Sequence, residues 1–203
     1  MVVDPMDEAR FEEALRRIDA ANARDLNREV WEGVEHPKEL LYGRRMTEWL
    51  ERLEPDASEA LRLAVRAQHI RRWELPRDLY PRDRAGYHRW RTELYGRHAD
   101  HADEILRGLS YDDHMIQRVR DLLMKKRLKS DPEAQTLEDV ACLVFLEFYF
   151  AEFAPQYDEA KVVTILRRTW KKMSERGHAA ALRLEMPAEA RRLVEKALAG
   201  DEA

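Results

Sequence analysis

Residues 136–150 read TLEDVACLVFLEFYF, and this stretch decides the fold. From Val140 onward it is apolar at almost every position, so as a helix it would be hydrophobic on nearly all sides. Such a helix is stable in water only when other elements surround it. Thr136 stands where an N-cap would, and Asp139 stands three residues later, the spacing of a capping box. Cys142, the only cysteine, lies within the apolar run and reads as an inert core thiol; with one cysteine there can be no intrachain disulfide or multi-cysteine metal site.

The segments around this stretch repeat the helical pattern. Phe11, Leu15, Ile18 and Ala21 recur at three- and four-residue spacing, which predicts a first helix over about Asp7 to Ala21. A polar link through Asn27 and Gly33 leads to Pro37, which suits the first turn of a second helix carrying Leu40, Met46, Trp49 and Leu53. A third is expected from about Ala57 to Trp73, followed by an ordered loop over Glu74 to Arg84, then a fourth over about Ala85 to Arg107. Ser110 and Asp113 resemble a capping box for a fifth helix containing Ile116, Val119 and Leu123. Two more are expected over about Asp158 to Met173 and Pro187 to Leu198, the last ended by Gly200. Seven glycines, eight prolines and 37% charged residues suit helices with charged outer faces. The expectation is one all-α domain over residues 1–203, a compact multi-helix bundle.

The formal net charge of −4 gives no reason to expect a general nucleic-acid binder. Distribution is more informative, since nine arginines stand against four acidic residues between Arg66 and Arg97. Guanidinium forks suit phosphate and carboxylate, and Trp73, Tyr80, Tyr87 and Trp90 offer stacking surfaces among them. Surface salt bridges to Glu74, Asp78 and Asp83 are the competing use of these arginines. The start of the chain shows no basic region followed by an apolar signal segment, and no apolar run reaches membrane-span length. A cytoplasmic protein without membrane attachment is expected. GxxxxGK, GxGxxG and GxSxG signatures are absent.

His69, His98, His101, Asp139 and Glu147 fall in or beside apolar helical patterns. Imidazole and carboxylate groups together can bind a divalent ion and lower the pKa of its water. Each has a plainer alternative: a histidine bonded to a backbone carbonyl for His69, surface packing for His98 and His101, a cap for Asp139, a solvated stripe for Glu147.

Phrases such as LLYGRRM, RAQHIRRWELPR, YPRDRAGYHRWR and LEDVACLVFLE resemble those of a family of roughly 200-residue uncharacterised proteins, across about Phe11 to Leu198. Over about Leu40 to Phe150 the chain also resembles, more distantly, the HD-domain metal-dependent phosphohydrolases. That resemblance implies an HD-like bundle in which His69, His98 and Asp139 hold a divalent metal and carry catalysis, with His101 assisting. It places Ile70 where a metal-binding aspartate is expected, and Tyr42 or Arg45 where an early histidine is expected. Isoleucine cannot ligate a metal and arginine would repel one, so the metal motif is degenerate. Arg45, Gln68, Arg71, Arg77, Arg84 and Lys125 would contact substrate. The implied activity is hydrolysis of a phosphorylated or nucleotide-like small molecule. The alternatives are a noncatalytic module for a nucleotide, an RNA end or a protein partner, and a scaffold of charged helices.

Overall fold

The computed structural model describes residues 5–199, which are mostly helical. They group into two compact units, one running to Ala134 and the other starting at Gln135.

In the first unit, α1 (Pro5–Asn22) leads into a hairpin of β1 (Arg28–Trp31) and β2 (Val34–Pro37), and then into α2 (Lys38–Leu53). The expected polar link is therefore this antiparallel pair, with Glu29 opposite His36 and Trp31 opposite Val34. Its turn residues Glu32 and Gly33 both have positive φ, the requirement of a tight two-residue hairpin turn. Pro37 ends β2 rather than beginning a helix. The hairpin is tied to α2 by an ion pair between Arg45 and Glu29, with the Arg45 guanidinium 4.6 Å from the Trp31 ring centroid.

Ser58 caps α3 (Glu59–Arg66) by accepting from the Leu61 amide. This helix ends at Arg66, well before the expected Trp73, and residues 67–71 form turns. Short 3₁₀ turns follow at Arg72–Glu74 and Arg77–Leu79, so the expected ordered loop is present. Asp83 caps α4 (Arg84–Arg107), and Asp112, not Ser110, caps α5 (Asp113–Leu123). Met46, Leu61, Val65, Ile116 and Leu122 are each at most 1% exposed where α2, α3 and α5 pack together. Arg66 clamps Asp19 of α1 through two 2.7 Å bonds, a fork geometry that lysine could not reproduce.

The apolar stretch forms α6 (Pro132–Val144), which continues through a π turn (Phe145–Tyr149) into α7 (Phe150–Phe153). Because α6 starts at Pro132, Thr136 is inside the helix and caps nothing, contrary to the capping-box expectation. Three helices complete the second unit: α8 (Glu159–Trp170), α9 (Glu175–Ala181) and α10 (Ala188–Leu198). Periodicity did not predict α9, whose seven residues are too few to show a face. Gly200 lies outside the described residues. Among the described residues no helix is long and apolar enough to cross a membrane.

Candidate functional site

His69 stands at the centre of a polar cluster in the first unit. The turn after α3 carries it, and α2 supplies two of its neighbours. Glu39, in the first turn of α2, places Oε2 3.2 Å from His69 Nδ1. Tyr42, one turn later, stacks its ring on the imidazole at 3.9 Å with a 12° interplanar angle. On the other edge of the ring, Arg72 Nη1 lies 2.8 Å from His69 Nε2.

These contacts define the protonation state. A guanidinium can only donate, so Nε2 accepts from Arg72 and the proton of neutral His69 lies on Nδ1, donated to the Glu39 carboxylate. Burial holds the His69 pKa well below 6.5, and the positive charges of Arg72, Lys125, Arg91 and Lys38 act in the same direction. Burial also raises the Glu39 pKa, against the opposing influence of Arg72, His98 and Lys38. One edge of the cluster reaches solvent, with the side chains of His69 and Arg72 21% and 30% exposed.

His98 of α4 is the other expected residue in this cluster, its ring centroid 5.9 Å from that of His69. It is buried, and its Nδ1 donates to the Ile70 carbonyl at 2.8 Å. The carbonyl-bonded histidine that helical spacing suggested as the plain reading of His69 is thus His98. Burial, with the neighbouring His69 ring acting in the same direction, pushes its pKa down to about 3.

Asp139, in the second unit, is enclosed by donors of its own neighbourhood. Oδ1 accepts from the Ser174 amide at 2.8 Å and from Gln135 Nε2 at 3.0 Å, while Oδ2 accepts from Ser174 Oγ at 2.5 Å. Ser174 Oγ in turn accepts from the Gly177 amide and caps α9. A Cβ at Gly177 would come within 2.8 Å of the Asp139 carboxylate, so the close approach requires glycine. Asp139 does act at a helix start, but that of α9 rather than of its own helix.

These contacts bear on the implied divalent metal. In this arrangement the His69 Nε2 lone pair is directed at Arg72, His98 Nδ1 donates to a carbonyl and leaves only Nε2 as an acceptor, and Asp139 already accepts three hydrogen bonds. Among the described residues no group of three or more His, Cys, Asp or Glu is placed to hold a metal ion. The residues as arranged do not fit the ion.

The expected substrate contacts are dispersed. Arg45 is committed to the hairpin, and Arg77 pins the loop through the carbonyls of Tyr80 and Pro81 at 2.9 and 2.7 Å. Arg84 is exposed at the start of α4 and lies 3.5 Å from His88. Gln68 is buried with no hydrogen-bond partner at Oε1 among the described residues. Arg71 bonds Glu74 at 2.7 Å and faces His101. Lys125, which contributes to the positive field at His69, lies 5.5 Å from the Tyr95 ring centroid. Arg71 and Lys125 both have positive φ, a costly conformation for residues with a Cβ and one that recurs near functional sites. Glu39 and Lys38 were not singled out from sequence. An acidic residue in the first turn of a helix is ordinary, and only a contact thirty positions away along the chain distinguishes Glu39.

No curated protein and no solved structure matches the chain. A family model described as a domain of unknown function, DUF4202, matches residues 12–194. That match spans most of the sequence, and the chain belongs to the DUF4202 family.

Proposed function

We propose that the His69 cluster is the reaction centre of a hydrolase acting on a phosphorylated small molecule of nucleotide-like character. The observation that carries this reading is the Glu39–His69–Arg72 series: a carboxylate orients a neutral imidazole whose acceptor nitrogen meets a guanidinium at a solvent-reached edge. Tyr42, at one of the positions where the resemblance expects an early histidine, stacks on His69 and so belongs to the same cluster.

A phosphate dianion would compete for Arg72 and release the Nε2 lone pair. Water beside Nε2 could then attack phosphorus as its proton passes to His69, and Glu39 would stabilise the imidazolium formed. The P–O bond to the leaving group breaks, and His69 returns the proton to the leaving oxygen. Positive charge from Arg72, with Lys125 and Arg91 in the surrounding field, would favour the charge that develops on the phosphoryl oxygens. No step is routed through a metal, because among the described residues no group of three or more His, Cys, Asp or Glu is placed to hold one.

The test is a phosphomonoester and nucleotide hydrolysis screen of untagged full-length protein, with and without chelator, alongside metal analysis. His69→Ala should abolish turnover, and Glu39→Gln should lower kcat by about 10²–10⁴-fold with the fold intact. Turnover unchanged in His69→Ala would sink the proposal. Phosphate binding without turnover would instead favour the noncatalytic module, and turnover lost to chelator would restore the metal route.

A further inference from the structure

A groove elsewhere on the first unit is built from three separate elements. From α1 come Arg17 and Ala21, from the turn after α3 come Ile70 and Arg71, and from α4 come His101, Glu104 and Ile105. The helical contributions are spaced at three and four residues, which places them side by side on one face of each helix. Ala21 and Ile105, above the fully buried Ile70, give the groove an apolar floor, while charges of both signs stand around it.

The cationic side is preorganised. Arg71 is held at φ 52° while its amide donates to Asn22 Oδ1 at 3.0 Å, and Asn22 is 1% exposed. Its Nε donates to Glu74 at 2.7 Å, and Nη1 faces His101 Nδ1 at 3.4 Å. A guanidinium has five N–H donors, so these contacts leave Nη2 able to donate. Burial and the charge of Arg71 hold the His101 pKa down, so the imidazole adds no positive charge. The anionic side is Glu104, whose exposed carboxylate accepts no side-chain hydrogen bond from the described residues. Glu74 pairs with Arg71, and Glu13 is shared between Arg16 and Arg17, so the arginines of the groove are partly compensated.

We infer that this groove binds a small zwitterion, an aliphatic α-amino acid, with its carboxylate on Arg71, its ammonium on Glu104 and its side chain on Ala21 and Ile105. A ligand with both charges satisfies both walls, whereas a purely anionic or cationic one leaves one wall unmatched. The inference does not depend on the hydrolase reading, because binding is measured directly.

The test is calorimetric titration of the full chain with L-leucine and with its two half-analogues, 4-methylpentanoate, which lacks the amine, and isoamylamine, which lacks the carboxylate. Leucine should saturate the protein, and each half-analogue should bind at least about tenfold more weakly, the loss of one charge-assisted contact. Glu104→Gln and Arg71→Gly should each weaken leucine by about tenfold. Glu104 is exposed and glycine relieves the φ strain at position 71, so both variants should fold. His69→Ala should bind leucine as the unaltered chain does. The inference is overturned if leucine shows no saturable binding at millimolar concentration, if a half-analogue matches it, or if Glu104→Gln leaves its affinity unchanged.

Discussion

Glu39 and Asp139 are both buried carboxylates, one in each unit, and they are used differently. Asp139 receives three hydrogen bonds from neutral donors, two of them from the residue that caps α9. Glu39 meets an imidazole through Oε2, and Arg72 Nε lies 3.9 Å from its Oε1. A buried carboxylate that accepts several hydrogen bonds from neutral donors acts as a structural anchor, since those bonds replace its lost hydration. A carboxylate that orients an imidazole fixes the tautomer of a group able to exchange protons and stabilises its protonated form. Family resemblance implied a metal-holding, catalytic role for Asp139, whereas the carboxylate in contact with His69 is that of Glu39.

The comparison breaks if the two carboxylates respond alike to substitution. Glu39→Gln should show its largest effect in turnover. Asp139→Ala should show its effect in stability, because it strands the Ser174 amide and hydroxyl and the Gln135 amide; a loss of about 2–4 kcal/mol is expected in denaturant unfolding. Stability unchanged in Asp139→Ala would show that the α9 cap does not need its anchor.

A smaller effect concerns acid. Folded His98 stays neutral down to about 3, whereas in the unfolded chain it takes up a proton near 6.5. Through that window the unfolded state binds more protons, so stability falls as pH drops from about 6.5 toward 3. The His98 contribution should approach about 1 kcal/mol per pH unit inside the window. His98→Asn, which can keep a donor toward the Ile70 carbonyl, should flatten the slope measured by denaturant titration across this range. An equal slope in the two proteins would contradict the burial of a neutral imidazole.

Much of the helical fold was legible in the sequence, because Ile116, Val119 and Leu123 or Val162 and Leu166 recur at helical spacing and then pack inward. The hairpin was not, since Glu32–Gly33 lacks the Asn-Gly or Asp-Gly signal of a tight turn and its strands are four residues each. For the site, His69 and His98 were legible as polar residues in apolar surroundings. Glu39 and Arg72 were not distinguished, because a first-turn glutamate and one arginine among nine look ordinary until the turn after α3 brings His69 between them. The extension of the third helix to Trp73 failed for a related reason. Apolar spacing continues through Ile70, but the backbone leaves the helix at Arg66 and turns, with Arg71 at positive φ.

The most direct measurement is the imidazole ¹⁵N spectrum of His69 across pH, assigned by comparison with His69→Gln. The expected result is a neutral ring from pH 8 to well below 6.5, with the proton on Nδ1 and an acceptor Nε2. A ring that titrates near 6.5, or one whose proton sits on Nε2, would contradict the Glu39–His69–Arg72 arrangement on which the proposed chemistry rests.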